Sequence, residues 1–220
     1  MRRIISAFAV LLFVSACASS VKYDGTYGAG PEKLLLATGS PGELGLVKAL
    51  ADEFSKKNKV TVYWKKAGTG DALDFLKSRP DASLDGIFSS QVIEHFQPDY
   101  LRRVVSEAFR VLRPGAALLL ETVNPLSLFA LSRIYFLDPT HQRPLHPEYM
   151  RYLLENSGFA SVEIIFSAEP EGEKLATVDP AAPQALPFND NVDRLNRLLF
   201  PPSEYAVKGL KPRPGGAERS

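Results

Sequence analysis

A single cysteine among 220 residues leaves no internal disulfide and no multi-cysteine metal site. Charge is balanced: 26 Lys and Arg against 25 Asp and Glu give a net +1. That excludes a global basic field of the kind that binds nucleic acid. The only histidines are His95, His141 and His146, and no H-x-x-x-H or carboxylate spacing accompanies them. The sequence therefore predicts no metal site. No apolar run is long enough for a bilayer-spanning helix, since Ile4–Phe13 covers about half the required length. No Gly/Ser-rich linker separates one part of the chain from another. What remains is ordinary for a globular chain: 45% hydrophobic and 23% charged residues, enough for one α/β core and a tail.

The first residues carry an address. Met1-Arg2-Arg3 is basic, Ile4–Phe13 is apolar, and Val14-Ser15-Ala16-Cys17 follows. This is the layout of a secretory signal. The last four residues resemble a bacterial lipobox, which implies a lipidated Cys17, membrane attachment and an extracytoplasmic location. The alternative is a plain signal cut near Ala16. Without that signal the remainder would stay cytoplasmic.

Residues 18–70 read as β–loop–α–β. Leu34–Ala37 is a short strand, and Glu43–Lys57 is amphipathic, with Leu46, Val47, Leu50, Ala51 and Phe54 on one face. Val60–Trp64 alternates at strand spacing. The run LLLATGSPGELGLVKALADEFSKKNKVTVYWKKAGTGDAL resembles the opening of tungstate/molybdate-type periplasmic substrate-binding proteins. That resemblance implies an oxyanion cradle of Thr38, Ser40 and Thr69, and an ABC transporter as partner. The alternative is a strand-to-helix turn in which Thr38 or Ser40 only caps the helix.

Residues 84–122 form one strand–helix–strand unit. A short apolar strand ends at Ser89, and Pro98 suits a first helical turn. Leu101, Val104, Val105, Ala108, Phe109, Val111 and Leu112 recur at helical spacing. Pro114-Gly115 signals a turn, and Ala116–Glu121 reads as a strand buried on both faces. The runs DGIFSSQVIEHF and LRRVVSEAFRVLRPGAALLLETVNP resemble the fourth and fifth strands of class I S-adenosylmethionine (SAM)-dependent methyltransferases. FLDPTHQRPLHPE resembles the O-antigen and polysaccharide methyltransferase group.

The resemblance covers residues 71–212 and implies an α/β, Rossmann-like, mostly parallel sheet, incomplete at its start, with an antiparallel last strand. It implies SAM as cofactor, held by Asp71, Ser89 and Gln91, and a glycan or other small-molecule acceptor. Asp138 or His141 would be the base that removes the acceptor proton. Arg143 and His146 would meet the acceptor. The structural alternatives are that Asp71, Asp138 and His146 cap turns, Arg143 pairs with an acid, and His95 holds its own turn.

The family's acidic, glycine-rich nucleotide loop is not visible. Gly39, Gly42 and Gly45 sit where it would lie, but the second strand ends in Trp64-Lys65-Lys66. Ammonium groups cannot accept hydrogen bonds from ribose hydroxyls. The sequence thus predicts a methyltransferase impaired in cofactor binding. The alternatives are a lipid-anchored oxyanion-binding fragment and a fusion of two partial genes without function. Pro147–Ser157 and Asn189–Phe200 read as helices, Ala160–Phe166 and Glu204–Leu210 as strands, 169–187 as a mobile insertion and 213–220 as a tail.

Overall fold

The computed structural model describes residues 9–14, 23–38, 46–66, 69–170 and 172–214. Eight strands form one sheet: β1 (Ala9–Val14), β2 (Gly25–Tyr27), β3 (Glu32–Thr38), β4 (Val60–Lys66), β5 (Leu84–Ser90), β6 (Leu112–Val123), β7 (Ala160–Ser167) and β8 (Glu204–Leu210). Six helices are described: α1 (Leu46–Asn58), α2 (Ala72–Lys77), α3 (Pro98–Val111), α4 (Leu128–Arg133), α5 (Pro147–Asn156) and α6 (Ala185–Leu199).

The strand order is β2-β4-β3-β1-β5-β6-β8-β7. Strands β3 and β4 pair in parallel, as do β5 and β6, while β8 is antiparallel to both β6 and β7. Strand β1 lies between β3 and β5, antiparallel to each. Ala9–Phe13, the described part of the apolar stretch expected as a signal core, thus lies in the middle of the sheet. The Rossmann-like fold with its antiparallel last strand is the one the sequence led us to expect, and the sheet runs continuously from β2 to β7.

The core gathers around the β5–α3–β6 unit. Leu101, Val104, Val105, Ala108 and Val111 of α3 are buried against Leu84, Ile87, Leu118 and Leu120. Pro98 stands at the start of α3, where its missing N–H is of no consequence. Gly158 ends α5 at φ +95, and a Cβ there would meet the Phe109 ring at 2.9 Å, so glycine is required twice over.

Three local expectations change. Pro114-Gly115 bends the chain inside β6 in place of a turn between elements: pairing steps from Leu84 with Leu112 to Gly86 with Ala117, and Gly115 takes a left-handed φ of 87. In α1, Val47, Ala51 and Ser55 face inward, while Leu50 and Phe54 are exposed. The helix presents its i, i+4, i+8 row of smaller residues, which lets it sit close to the sheet. Helix α6 begins four residues before the expected Asn189. Its Asn189 clamps the Val178 backbone at both N–H (2.9 Å) and C=O (3.0 Å). Asn196 does the same to Leu175, at 2.8 and 2.9 Å. Two amide forks therefore tie the proline-rich segment down where a mobile insertion was expected. Among the described residues no helix is long and apolar enough to cross a membrane.

Candidate functional site

In open α/β sheets, ligands settle beyond the carboxyl ends of the strands where the strand order reverses. That point here lies between β3 and β5, with β1 in between. Strand β5 delivers Ser89, Ser90 and Gln91 to this edge, and Ser89 and Gln91 are buried. Gln91 holds a left-handed φ of 53, uncommon for a residue with a side chain. Its N–H donates to the Glu121 carbonyl at 3.0 Å. Its side-chain Nε2 is buried and meets no hydrogen-bond partner among the described residues. A buried amide left without an acceptor is what a bound ligand would satisfy. The Ser90 hydroxyl donates to the Glu121 carboxylate at 2.7 Å.

A short 3-10 turn at Ile93–His95 follows β5 and turns Glu94 inward. The Glu94 side chain is fully buried. Neither carboxylate oxygen has a hydrogen-bond partner among the described residues. Burial pushes the Glu94 carboxyl up to about 7, and its own backbone N–H and then the Thr122 side chain ease the charge only in part. His141 faces it, with Nε2 at 3.9 Å from Oε1. His141 Nδ1 lies 2.7 Å from the Tyr135 carbonyl. A carbonyl can only accept, so Nδ1 carries the proton and Nε2 the lone pair.

His95 stacks edge-on against His141 with ring centroids 4.6 Å apart. The Thr140 hydroxyl donates to Asp138 Oδ1 at 2.6 Å and lies 2.9 Å from His95 Nδ1. With its own proton committed to Asp138, that oxygen accepts from His95 Nδ1–H. Burial, then the neighbouring His141, pulls the His95 pKa down, which keeps the ring neutral. Hydrogen bonds from the Thr140 side chain and then its backbone N–H hold Asp138 below the usual carboxylate range. The Tyr135 hydroxyl beside the cluster is buried and also lacks a hydrogen-bond partner among the described residues. Burial pushes that phenol up to about 12.

The predicted site residues therefore divide. Asp138 and His141 come together with His95 and with Glu94, which the sequence reading did not single out. Asp138 reaches His95 only through Thr140, so its place is that of a positioning group. Arg143, expected to meet the acceptor, sets its guanidinium 5.1 Å from the Tyr149 ring, a cation–π contact in place of the ion pair that was its structural alternative. His146 caps α5, its Nδ1 accepting from the Glu148 N–H at 3.2 Å. Asp71 precedes α2 and makes no side-chain capping bond to it among the described residues. The corner is held instead by Tyr100, whose hydroxyl donates to Gly70 O at 2.7 Å and accepts from Leu73 N–H at 3.0 Å. Ser40, Cys17 and the loop at 39–45 lie outside the described residues, as do the side chains of Thr38 and Thr69.

The end of β4 also differs from its sequence. A carboxylate is present there, brought by Asp24, whose Oδ2 accepts from Lys65 Nζ at 3.0 Å and from Lys66 N–H at 2.8 Å. That carboxylate is taken up by the two lysines, whereas the buried amide of Gln91 is a donor that a bound nucleoside would satisfy, and in that respect the residues present fit SAM.

A methyltransferase domain family model matches residues 46–120, beginning within α1 and so inside the stretch that resembles a binding protein. The "Probable S-adenosylmethionine-dependent methyltransferase" of Mycolicibacterium smegmatis is 44% identical over 80 residues. That segment covers 36% of this chain and 30% of the relative. A protein of Mycobacterium tuberculosis with the same description is 37% identical over 83 residues, 38% of this chain and 29% of its own length. The chain thus spans less than a third of the curated relatives it matches. Over a larger extent it resembles a SAM-dependent methyltransferase from Archaeoglobus fulgidus, with a TM-score of 0.61 and 32% identity, covering 77% of this chain and 80% of that one. On these grounds the chain belongs to the class I SAM-dependent methyltransferases, and S-adenosylmethionine is its expected cofactor.

Proposed function

We propose that this chain moves the methyl group of SAM to a hydroxyl of a sugar or glycan acceptor. The observation that carries the reading is His141, whose Nδ1–H is committed to the Tyr135 carbonyl, so that Nε2, 3.9 Å from Glu94 Oε1, is the ring nitrogen left to act. When bound, SAM supplies an electrophilic methyl carbon on a sulfonium. Ser89, Gln91 and Asp71 would hold the nucleotide. His141 Nε2 would take the proton that the acceptor hydroxyl loses as it is methylated. Arg143, steadied over Tyr149, would meet a phosphate or carboxylate on the acceptor. Holding the oxygen within attack distance provides most of the acceleration, because the reaction otherwise needs two free molecules to meet.

Calorimetric titration of the full chain with S-adenosylhomocysteine, in the presence of a chelator, tests the reading. One-site binding weakened at least tenfold by Gln91→Ala is expected. No heat from the folded protein would refute it.

A further inference from the structure

We propose that Glu94, His95 and His141 form a binding site for a divalent first-row transition-metal ion. One ligand atom from each of the three lies within 4.8 Å of the others. Two imidazoles and a carboxylate are the donor set that zinc, iron, cobalt or manganese accepts. Metal–ligand lengths of about 2.0–2.2 Å place donors roughly 3–4 Å apart, so the 3.9 Å between Glu94 Oε1 and His141 Nε2 already suits one ion.

A second observation points the same way. Glu94 is fully buried, and neither of its oxygens has a hydrogen-bond partner among the described residues. An ionised carboxylate in that position is costly unless a cation meets it. The surroundings are arranged as they are around metal-ligating histidines, in which one ring nitrogen is fixed by a protein oxygen so that the other can bind. His141 Nδ1 is fixed by the Tyr135 carbonyl. His95 Nδ1 is fixed by Thr140, which Asp138 fixes in turn. A plain Glu–His ion pair would explain His141 but not the coupled anchoring of His95.

Three protein ligands leave coordination positions for oxygen. While the ion is bound, His141 is a ligand and the ion lowers the pKa of the acceptor hydroxyl so that its proton leaves to water; without the ion, His141 takes that proton itself. Two neighbouring hydroxyls, as on a sugar ring, would chelate the ion better than one. This role in the reaction rests on the methyl-transfer reading; binding of the ion does not.

The test is Co2+ titration of the full chain carrying Cys17→Ser, without SAM, followed by visible absorption. One ion per chain with d–d bands that a chelator removes is expected. Glu94→Gln and His141→Asn should each weaken binding at least a hundredfold, and Thr140→Val about ten- to a hundredfold. Circular dichroism confirms that each variant is folded. Loss of binding on Cys17→Ser alone, or binding that Glu94→Gln and His141→Asn both leave unchanged, overturns the proposal. S-adenosylhomocysteine binding under chelator is scored separately, so either reading can fail alone.

Discussion

The β3–α1–β4 and β5–α3–β6 units share one plan, a strand, a helix and a parallel strand, and they are buried very differently. Helix α3 inserts five apolar residues into the main core. Helix α1 offers Val47, Ala51 and Ser55 and leaves Leu50 60% and Phe54 42% exposed. Among the described residues of the first unit, only Leu35 joins the main cluster of buried residues; Leu34, Ala51 and Val62 form a small cluster of their own. The comparison teaches that the plan does not set stability. What counts is how much a further layer covers, and α3 has α2 and α5 beside it.

The sharpest way to break the comparison is to truncate one leucine in each helix. Leu101→Ala should cost about 2–5 kcal/mol, because a fully buried side chain leaves a cavity. Leu50→Ala should stay within about 0.5 kcal/mol. Urea denaturation read by far-UV dichroism measures both, and equal losses would show that α1 is as firmly held as α3.

Glu94 tests whether the well-buried half carries a charge at its own expense. Its folded pKa of about 7 lies above its ordinary 4.5, so the folded state keeps the proton longer than the unfolded chain. Its stability contribution is therefore full below pH 4.5 and is lost as pH rises through 7. In chelator, Glu94→Gln should stabilise the protein at pH 8 by on the order of 3 kcal/mol and change little at pH 4. Thermal melts at the two pH values read this, and a pH-independent effect would argue against it.

A smaller effect sharpens the outer margin of the same half. Asn189→Ala should remove about 1 kcal/mol for each of its two backbone bonds, less where solvent competes. Limited proteolysis should then cut between 173 and 184 well before global unfolding. Resistance unchanged from the parent protein would mean that the Asn196 clamp suffices.

The β5–α3–β6 unit was legible because every apolar residue in α3 falls in one helical phase, with Pro98 and Arg110 marking its ends. Helix α1 has two overlapping apolar rows, Val47-Ala51 and Leu50-Phe54, and sequence cannot say which one the sheet accepts. The size of the neighbouring side chains decides, and that is tertiary information. His141 and Asp138 stood out in a polar loop between prolines. Glu94 did not, because its significance is burial without a partner, and His141 lies more than forty positions away. The Asp24 carboxylate was missed for the same reason: it reaches β4 across the sheet rather than along the chain. The stretch that forms β1 carries two readings at once, since a short apolar run is equally suited to a signal core and a strand.

That strand has one more consequence. It separates two strands that point the same way, so β3 and β5 stand two strand spacings apart rather than one. If a signal peptidase cut after Ala16, β1 would leave, and β3 and β5 could pair directly only by closing about 4.8 Å. The mouth between Thr38 and Ser90 would narrow by that amount. Strand β1 cannot serve as both address and spacer: while it remains it holds β3 and β5 apart, and once removed it hands that dimension to the two strands it separated.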